Sequence, residues 1–222
     1  MNIEKYAQKY RQDSKVERII PQMLQKYLQK HRFTTFLDCG CGDGVLLLII
    51  LSTSKFLTGK KIFACDLSQI RIKRLQKLQQ MFPESKITAR VDDAQILSSF
   101  AQSSIDFLVS SQVIEHVDDD AMLKAVRRVL STGGIAYLTT VYKKKWAWYF
   151  YRHQHKWVLD PTHLREYTAD SQLTSLIKKH ALKIIEQKKT PLVYTLALPF
   201  SFLRKIKIPI WGYYIWELVV QK

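Results

Sequence analysis

The residues of this chain best suited to chemistry begin at Asp38-Cys39-Gly40-Cys41-Gly42-Asp43-Gly44, a carboxylate followed by glycines at every second position. Apolar residues precede and follow this run, so the pattern reads strand, glycine turn, helix. Glycines there let a bound molecule come close to the backbone, because no Cβ stands in the way. Further polar points recur where later apolar runs end. Asp66 lies 22 residues beyond Gly44, where a carboxylate can accept both hydroxyls of a ribose. Asp93-Ala94 comes next, where a carboxylate can receive an amino proton of adenine. Ser110-Ser111-Gln112 follows, at the centre of the crevice that such a sheet leaves. A dinucleotide would ask for G-x-G-x-x-G, and here the third glycine comes one residue early. Asp38 and Asp43 would also repel a pyrophosphate, whereas an adenosine ligand with cationic groups and no phosphate would be drawn to them.

The elements that must hold these residues alternate. Apolar spacing predicts helix within 3–30, with a break or fresh start at Pro21. Strands are expected at 34–39, 61–66, 86–91, 105–110 and 135–141, with helices at 45–53, 68–81 and 118–130 between them. One or two helical turns are expected around 93–100. Ser68 is placed as a helix N-cap, and Asp118-Asp119-Asp120 as a cap with charges suited to a helix N-terminus rather than as a metal site. Gly133-Gly134 is expected to stop the helix before it. A helix at 169–180 and strands at 182–188 and 213–220 complete the pattern, the last two pairing antiparallel at one edge. Strands alternating with helices imply an α/β fold with a mostly parallel sheet covered on both faces.

Bulk properties set outer bounds. At 222 residues, 47% hydrophobic and 24% charged, the chain suits one globular domain, 1–222. Lys and Arg number 35 against 19 Asp and Glu, and the resulting +16 would attract anions: nucleic acid, acidic headgroups or an acidic substrate. Cys39, Cys41 and Cys65 are an odd number without a fourth soft ligand nearby, so reduced thiols and a cytoplasmic setting are expected. The polar, charged start carries no sign of a secretory leader. The most apolar tract, 192–203, is interrupted by Pro199 and falls short of the roughly 20 residues a spanning helix needs.

Taken in order, Asp38-x-Gly40-x-Gly42-x-Gly44, Cys65-Asp66-Leu67-Ser68, Asp92-Asp93-Ala94 and Val113-Ile114-Glu115-His116-Val117 resemble the successive motifs of class I S-adenosylmethionine-dependent methyltransferases. The closest likeness is to the small-molecule branch that includes ubiquinone-biosynthesis enzymes, and it covers roughly residues 30–190. It implies a Rossmann-like, seven-stranded, mostly parallel sheet with an antiparallel edge strand. It also implies S-adenosylmethionine as cofactor and S-adenosylhomocysteine as product. By that resemblance Asp38, Gly40, Cys41, Gly42 and Gly44 hold the methionine moiety. Asp66 and Leu67 hold the ribose, with Arg71 beside it; Asp93 and Ala94 border the adenine, and Ser110 and Ser111 lie near the sulfonium. Some quinone-pathway members carry E-x-x-E-H, which binds a divalent ion. Here Gln112-x-x-Glu115-His116 lacks the first carboxylate, so no catalytic metal is expected.

Methyl transfer to a hydroxyl or ammonium also needs a proton acceptor. The segment 142–168 is dense in Trp, Tyr, Lys, Arg and His and sits on the carboxyl side of the sheet, as a substrate lid would. His155 and His163 are its candidate bases. Residues 1–32 are expected to form an N-terminal helical cap. Residues 191–211, apolar with embedded basic side chains, form either a second lid wall or an element resting on an anionic membrane. The expected acceptor is small or lipid-like, with an anionic one favoured by the charge, and is methylated at oxygen. An RNA substrate and a catalytically inactive cofactor-binding subunit are the alternatives.

Overall fold

A computed structural model describes residues 4, 7, 8, 19–149, 151–153, 155–196 and 206–222. Helix α1 (Gln22–Lys30) follows Pro21, whose missing N–H suits a helix start, and buries Met23, Leu24, Tyr27 and Leu28. Strand β1 (Thr35–Cys39) runs into the glycine turn and helix α2 (Val45–Thr53). Then come β2 (Lys61–Asp66), α3 (Gln69–Gln79), β3 (Ile87–Val91) and β4 (Ile105–Ser111). A single 3-10 turn (Ile114–His116) leads to α4 (Asp119–Val129), capped by Asp118, whose side chain accepts from the Ala121 N–H at 3.0 Å. Next are β5 (Leu130–Lys143), the short hairpin β6 (Tyr151–His153) and β7 (Lys156–Val158), α5 (Asp170–Lys179), β8 (Lys183–Leu196) and β9 (Ile206–Gln221).

The main sheet has seven strands in the order β3-β2-β1-β4-β5-β9-β8. The first five pair in parallel, and β9 enters antiparallel to both β5 and β8. Alternate side chains feed two cores, one on each face. Phe36, Phe107 and Val109 join the apolar sides of α1, α2 and α3. Leu37, Cys39 and Leu108 join those of α4 and α5. This is the Rossmann-like architecture expected, with the order reversing between β1 and β4, where open α/β sheets leave their ligand crevice.

Residues 93–100 contain one hydrogen-bonded helical turn, the Leu97 N–H donating to the Asp93 carbonyl at 2.7 Å, before Asp92 gathers the N–H groups of Asp93, Ser98 and Ser99 and curls the chain around its carboxylate. Two local expectations fail for physical reasons. Helix α4 stops at Val129, ahead of Gly133-Gly134, and β5 starts at once. The glycines instead serve an irregularity in the β4–β5 pairing: Gly133 has φ +78°, and a Cβ on Gly134 would lie 3.1 Å from the Asp106 carbonyl. The last two strands are far longer than their apolar cores suggested, and part of the segment 191–211 forms paired strand, Val193 opposite Pro209. Residues 197–205 lie outside the described residues, as does most of the 1–32 cap before Ile19.

At the amino ends of the strands, Asp106 accepts from the Thr34 N–H and hydroxyl, the Thr35 N–H and the Ser131 hydroxyl, at 2.8–3.1 Å. Burial pushes this carboxyl up, but the hydrogen bonds outweigh it and hold it well below the usual carboxylate range. The knot fixes β1, β4 and β5 at the end opposite the crevice.

Candidate active site

The glycine turn is built by positive φ angles at Gly40 (+72°), Gly42 (+55°) and Gly44 (+80°). Space is equally demanding, since a Cβ on Gly40 would lie 2.4 Å from Cγ2 of Val113, and one on Gly44 2.3 Å from Cδ1 of Leu75. The Gly40 and Cys41 N–H groups both donate to the Cys65 carbonyl, at 2.8 and 2.9 Å, which ties the turn to the end of β2.

Asp38 is the last residue but one of β1, beneath this turn. It is 3% exposed, and its Oδ2 has no hydrogen-bond partner among the described residues. Burial, helped by the charge of Asp66, pushes its carboxyl up to about 7. A buried carboxylate without a partner suits a cationic ligand, so the residue fits the ammonium-bearing end of the cofactor.

Asp66 accepts the Gly42 N–H on Oδ2 at 3.0 Å and the Ser68 N–H on Oδ1 at 2.9 Å. Burial raises its carboxyl; these bonds and the charge of Arg71 pull the other way. Each oxygen keeps a lone pair for a ribose hydroxyl. Leu67 stands 45% exposed beside it. Asp43, read from sequence as a second attraction for cationic ligands, is spoken for: Nη1 of Arg74 reaches its Oδ1 at 3.2 Å. Asp93 takes the Gln95 N–H and side-chain amide, at 2.9 and 3.1 Å, and Ala94 is buried behind it. The hydroxyls near the crevice centre bond across strands, Ser110 to the Cys39 carbonyl at 2.8 Å and Ser111 with Thr139 at 3.0 Å. The three cysteines are free and buried, and burial pushes the Cys41 thiol well up.

Two contacts had no signal in the sequence. Glu4 accepts the Ser68 hydroxyl at 3.0 Å and the Gln69 N–H at 2.8 Å, adding a carboxylate to the N-terminus of α3. Arg74 also donates to the Ala7 carbonyl at 2.9 Å. Glu4 and Ala7 are therefore tied down close to Asp66.

The candidate bases part company. His155 is exposed, at φ +62°, in the turn of the β6–β7 hairpin. His163 is 8% exposed, and its Nδ1 lies 2.6 Å from Oε1 of Glu166. Glu166 is held in turn by the Leu159 N–H at 2.7 Å and by Nζ of Lys143 at 3.4 Å. The His163 ring packs edge-on against His116, centroids 4.7 Å apart, and His116 Nδ1 bonds the Thr162 hydroxyl at 2.8 Å. Burial and the neighbouring His163 bring the His116 imidazole down to about 4, with Arg71 adding to the effect. Glu115 is fully buried, its Oε2 taking the Thr140 hydroxyl at 3.0 Å and its Oε1 without a partner among the described residues. Burial pushes its carboxyl up to about 7. One ligand atom from each of Glu115, His116 and His163 lies within 4.8 Å of the others, so these residues have the spacing to hold a metal ion or to share a proton. The expectation of no metal rested on Gln112 alone; the third donor arrives from the lid segment, 47 residues after His116.

Residues 37–138 match a protein family described as "Methyltransferase domain". No curated protein matches the sequence. Among solved structures, the chain is similar to a SAM-dependent methyltransferase from Methanosarcina mazei, with TM-score 0.64 and 19% identity over 91% of this chain and 97% of that one. It is similar to a geranyl diphosphate methyltransferase solved with SAM, with TM-score 0.58 and 11% identity over 84% and 77%. It is similar also to the 4+2 cyclase SpnF, with TM-score 0.59 and 20% identity over 75% of this chain but only 58% of the cyclase's length. At these identities the likeness is one of fold.

Proposed function

We propose that this chain is a class I S-adenosylmethionine-dependent methyltransferase, with its methyltransferase domain at residues 37–138, and that it methylates a small or lipid-like acceptor at oxygen, with His163 taking the proton. The observation that carries the reading is the pairing of two prepared groups at one end of the sheet. One is a buried carboxylate, Asp38, whose Oδ2 has no partner among the described residues, and the other is a buried histidine–carboxylate pair, His163 and Glu166.

When bound, the cofactor supplies an electrophilic methyl group on a sulfonium. The chain's own residues do the rest. Asp38 answers the positive charge of the methionine end, over the turn of Gly40, Cys41, Gly42 and Gly44. Asp66 and Leu67 receive the ribose, with Arg71 alongside, and Asp93 and Ala94 border the adenine. Ser110 and Ser111 act through the strands they cross-link and keep the crevice floor rigid. His163 accepts the acceptor's hydroxyl proton while Glu166 fixes the ring and steadies the imidazolium, the division of labour seen wherever a carboxylate backs a catalytic histidine. Arg71 acts on the charge of both Asp66 and His116, which supports a cofactor site next to the histidine cluster. That same positive charge weighs against a cation there, and the cluster of Glu115, His116 and His163 works by proton sharing.

The test is transfer of labelled methyl from the cofactor to a panel of phenols of increasing chain length. Activity that grows with chain length, and that His163→Gln abolishes while cofactor binding is retained, is the expected result. Methyl incorporation into RNA alone, or none into any acceptor, would reverse the assignment.

A further inference from the structure

The β8–β9 arm outgrows the sheet. Strand β5 ends opposite Tyr213 in its pairing with β9, so residues 206–212 and their partners in 193–196 project past the carboxyl ends of the parallel strands, the end where the crevice lies. The loop after β5 packs on this arm. A Cβ on Gly212 would lie 2.7 Å from Cβ of Ala147 and 3.2 Å from the Trp146 ring, so only glycine allows the contact, and the Lys144 N–H bonds the Gly212 carbonyl at 2.8 Å.

What this platform shows to water is unusual. Trp146 is 67% exposed, Trp148 56% and Trp211 77%, with Val193 and Ile208 also open at 44% and 47%. Large apolar side chains gathered at one end of a molecule mark a surface meant to be covered. Exposed Lys144, Lys145 and Arg152 interleave with them, and neither 142–159 nor 187–216 contains an Asp or Glu.

We infer that this end of the molecule docks on an anionic phospholipid bilayer. Tryptophan has an apolar ring and one N–H donor, and settles at the depth of the headgroups. Lysine and arginine beside it meet acidic headgroups. Val193 and Ile208 favour a bilayer over nucleic acid, since aliphatic side chains insert among acyl chains but offer bases no ring to stack on. Among the described residues no helix is long and apolar enough to cross a membrane, so the contact is peripheral. Docked in this way, the molecule turns its crevice toward the lipid, which deepens the lipid-like reading of the acceptor above and rests on it only for its use.

The intact protein is sedimented with vesicles of phosphatidylcholine, with and without phosphatidylglycerol. Binding that requires phosphatidylglycerol is expected. Trp211→Ser alone, and together with Trp146→Ser, should weaken it by about tenfold or more, and Lys144→Glu with Lys145→Glu should remove the preference for acidic vesicles. Melting temperature and cofactor affinity are measured on every variant and should not move, which separates loss of docking from loss of fold. Vesicle binding is read without any methyl transfer, so it can stand when the acceptor assignment falls. No sedimentation of the wild type, equal sedimentation of the tryptophan variants, binding to RNA in place of vesicles, or a stable dimer that covers the three tryptophans would each overturn the proposal.

Discussion

Replacing Asp38 with asparagine should make the cofactor-free protein relatively more stable as pH rises, and should ruin the site in doing so. In the unfolded chain this carboxyl titrates near the ordinary 3.8, and in the fold burial, helped by Asp66, moves it to about 7. Between those values the native state holds a proton that the unfolded state has released. Stability from this group is therefore complete below the lower value, falls as pH rises, and is gone above the upper one. Raising pH from about 5 to about 8 should cost the wild type about 3 kcal/mol through Asp38, a term that asparagine cannot contribute. Glu115, also raised to about 7, contributes to both proteins and cancels. The assay is denaturant unfolding of wild type and Asp38→Asn across that range, with and without cofactor. The stability difference should move in the variant's favour by about 3 kcal/mol. Saturating cofactor should erase the wild type's loss, because a bound cation keeps Asp38 ionised at no cost, and should leave the variant unchanged. Parallel pH profiles for the two proteins would refute the reasoning, since Asp38 would then be neither desolvated nor waiting for a charge.

Other expectations follow from the same geometry. His163→Gln should lower kcat by about 100-fold or more with cofactor affinity intact, and Glu166→Gln should cost less while altering the pH profile of kcat, both read in steady-state assays. Gly40→Ala forces a Cβ at φ +72° against the stiff Val113 side chain and should destabilise the fold by about 2 kcal/mol or more, measured by unfolding. Strong chelators should leave methyl transfer unchanged; activity that a chelator abolishes and zinc restores would show that Glu115, His116 and His163 hold an ion. Asp106→Ala should remove about 2 kcal/mol near neutral pH. The depressed Asp106 carboxyl means that the wild type should lose this advantage as pH falls below about 4, seen as converging acid-unfolding curves.

The sequence exposes what is local and hides what is assembled. Helix 45–53 and strand 61–66 could be bounded to the residue because glycines and polar turns punctuate the apolar runs. Gly133-Gly134 misled because a glycine pair looks alike after a helix and within an irregular strand; only the nearby Asp106 carbonyl decides between them. Asp43 looked like a free charge because Arg74, 31 residues on, could not be placed opposite it. The hairpin β6–β7 and the outer arm were invisible, since their aromatic and basic residues lack the strict alternation of a half-buried strand. The meeting of His163 with Glu115 and His116 depends on two loops at one sheet end. Its only trace in the chain was that each lies in a polar phrase following a strand.

The strand order has a consequence for how the molecule assembles. Among the described residues edge strand β8 pairs only with β9, yet it leaves the ribosome first, so it waits as an unpaired, lysine-rich strand until its partner is made. A local hairpin closes in about 1–10 microseconds once both strands exist, far faster than synthesis adds residues. The two therefore arrive at β5 as one preformed ribbon. Lys183, Lys188 and Lys189 keep that ribbon's outer strand from recruiting neighbouring chains in the interval. Substitutions that flatten and discharge β8 should show first as poor yield during expression, before any defect in the finished protein.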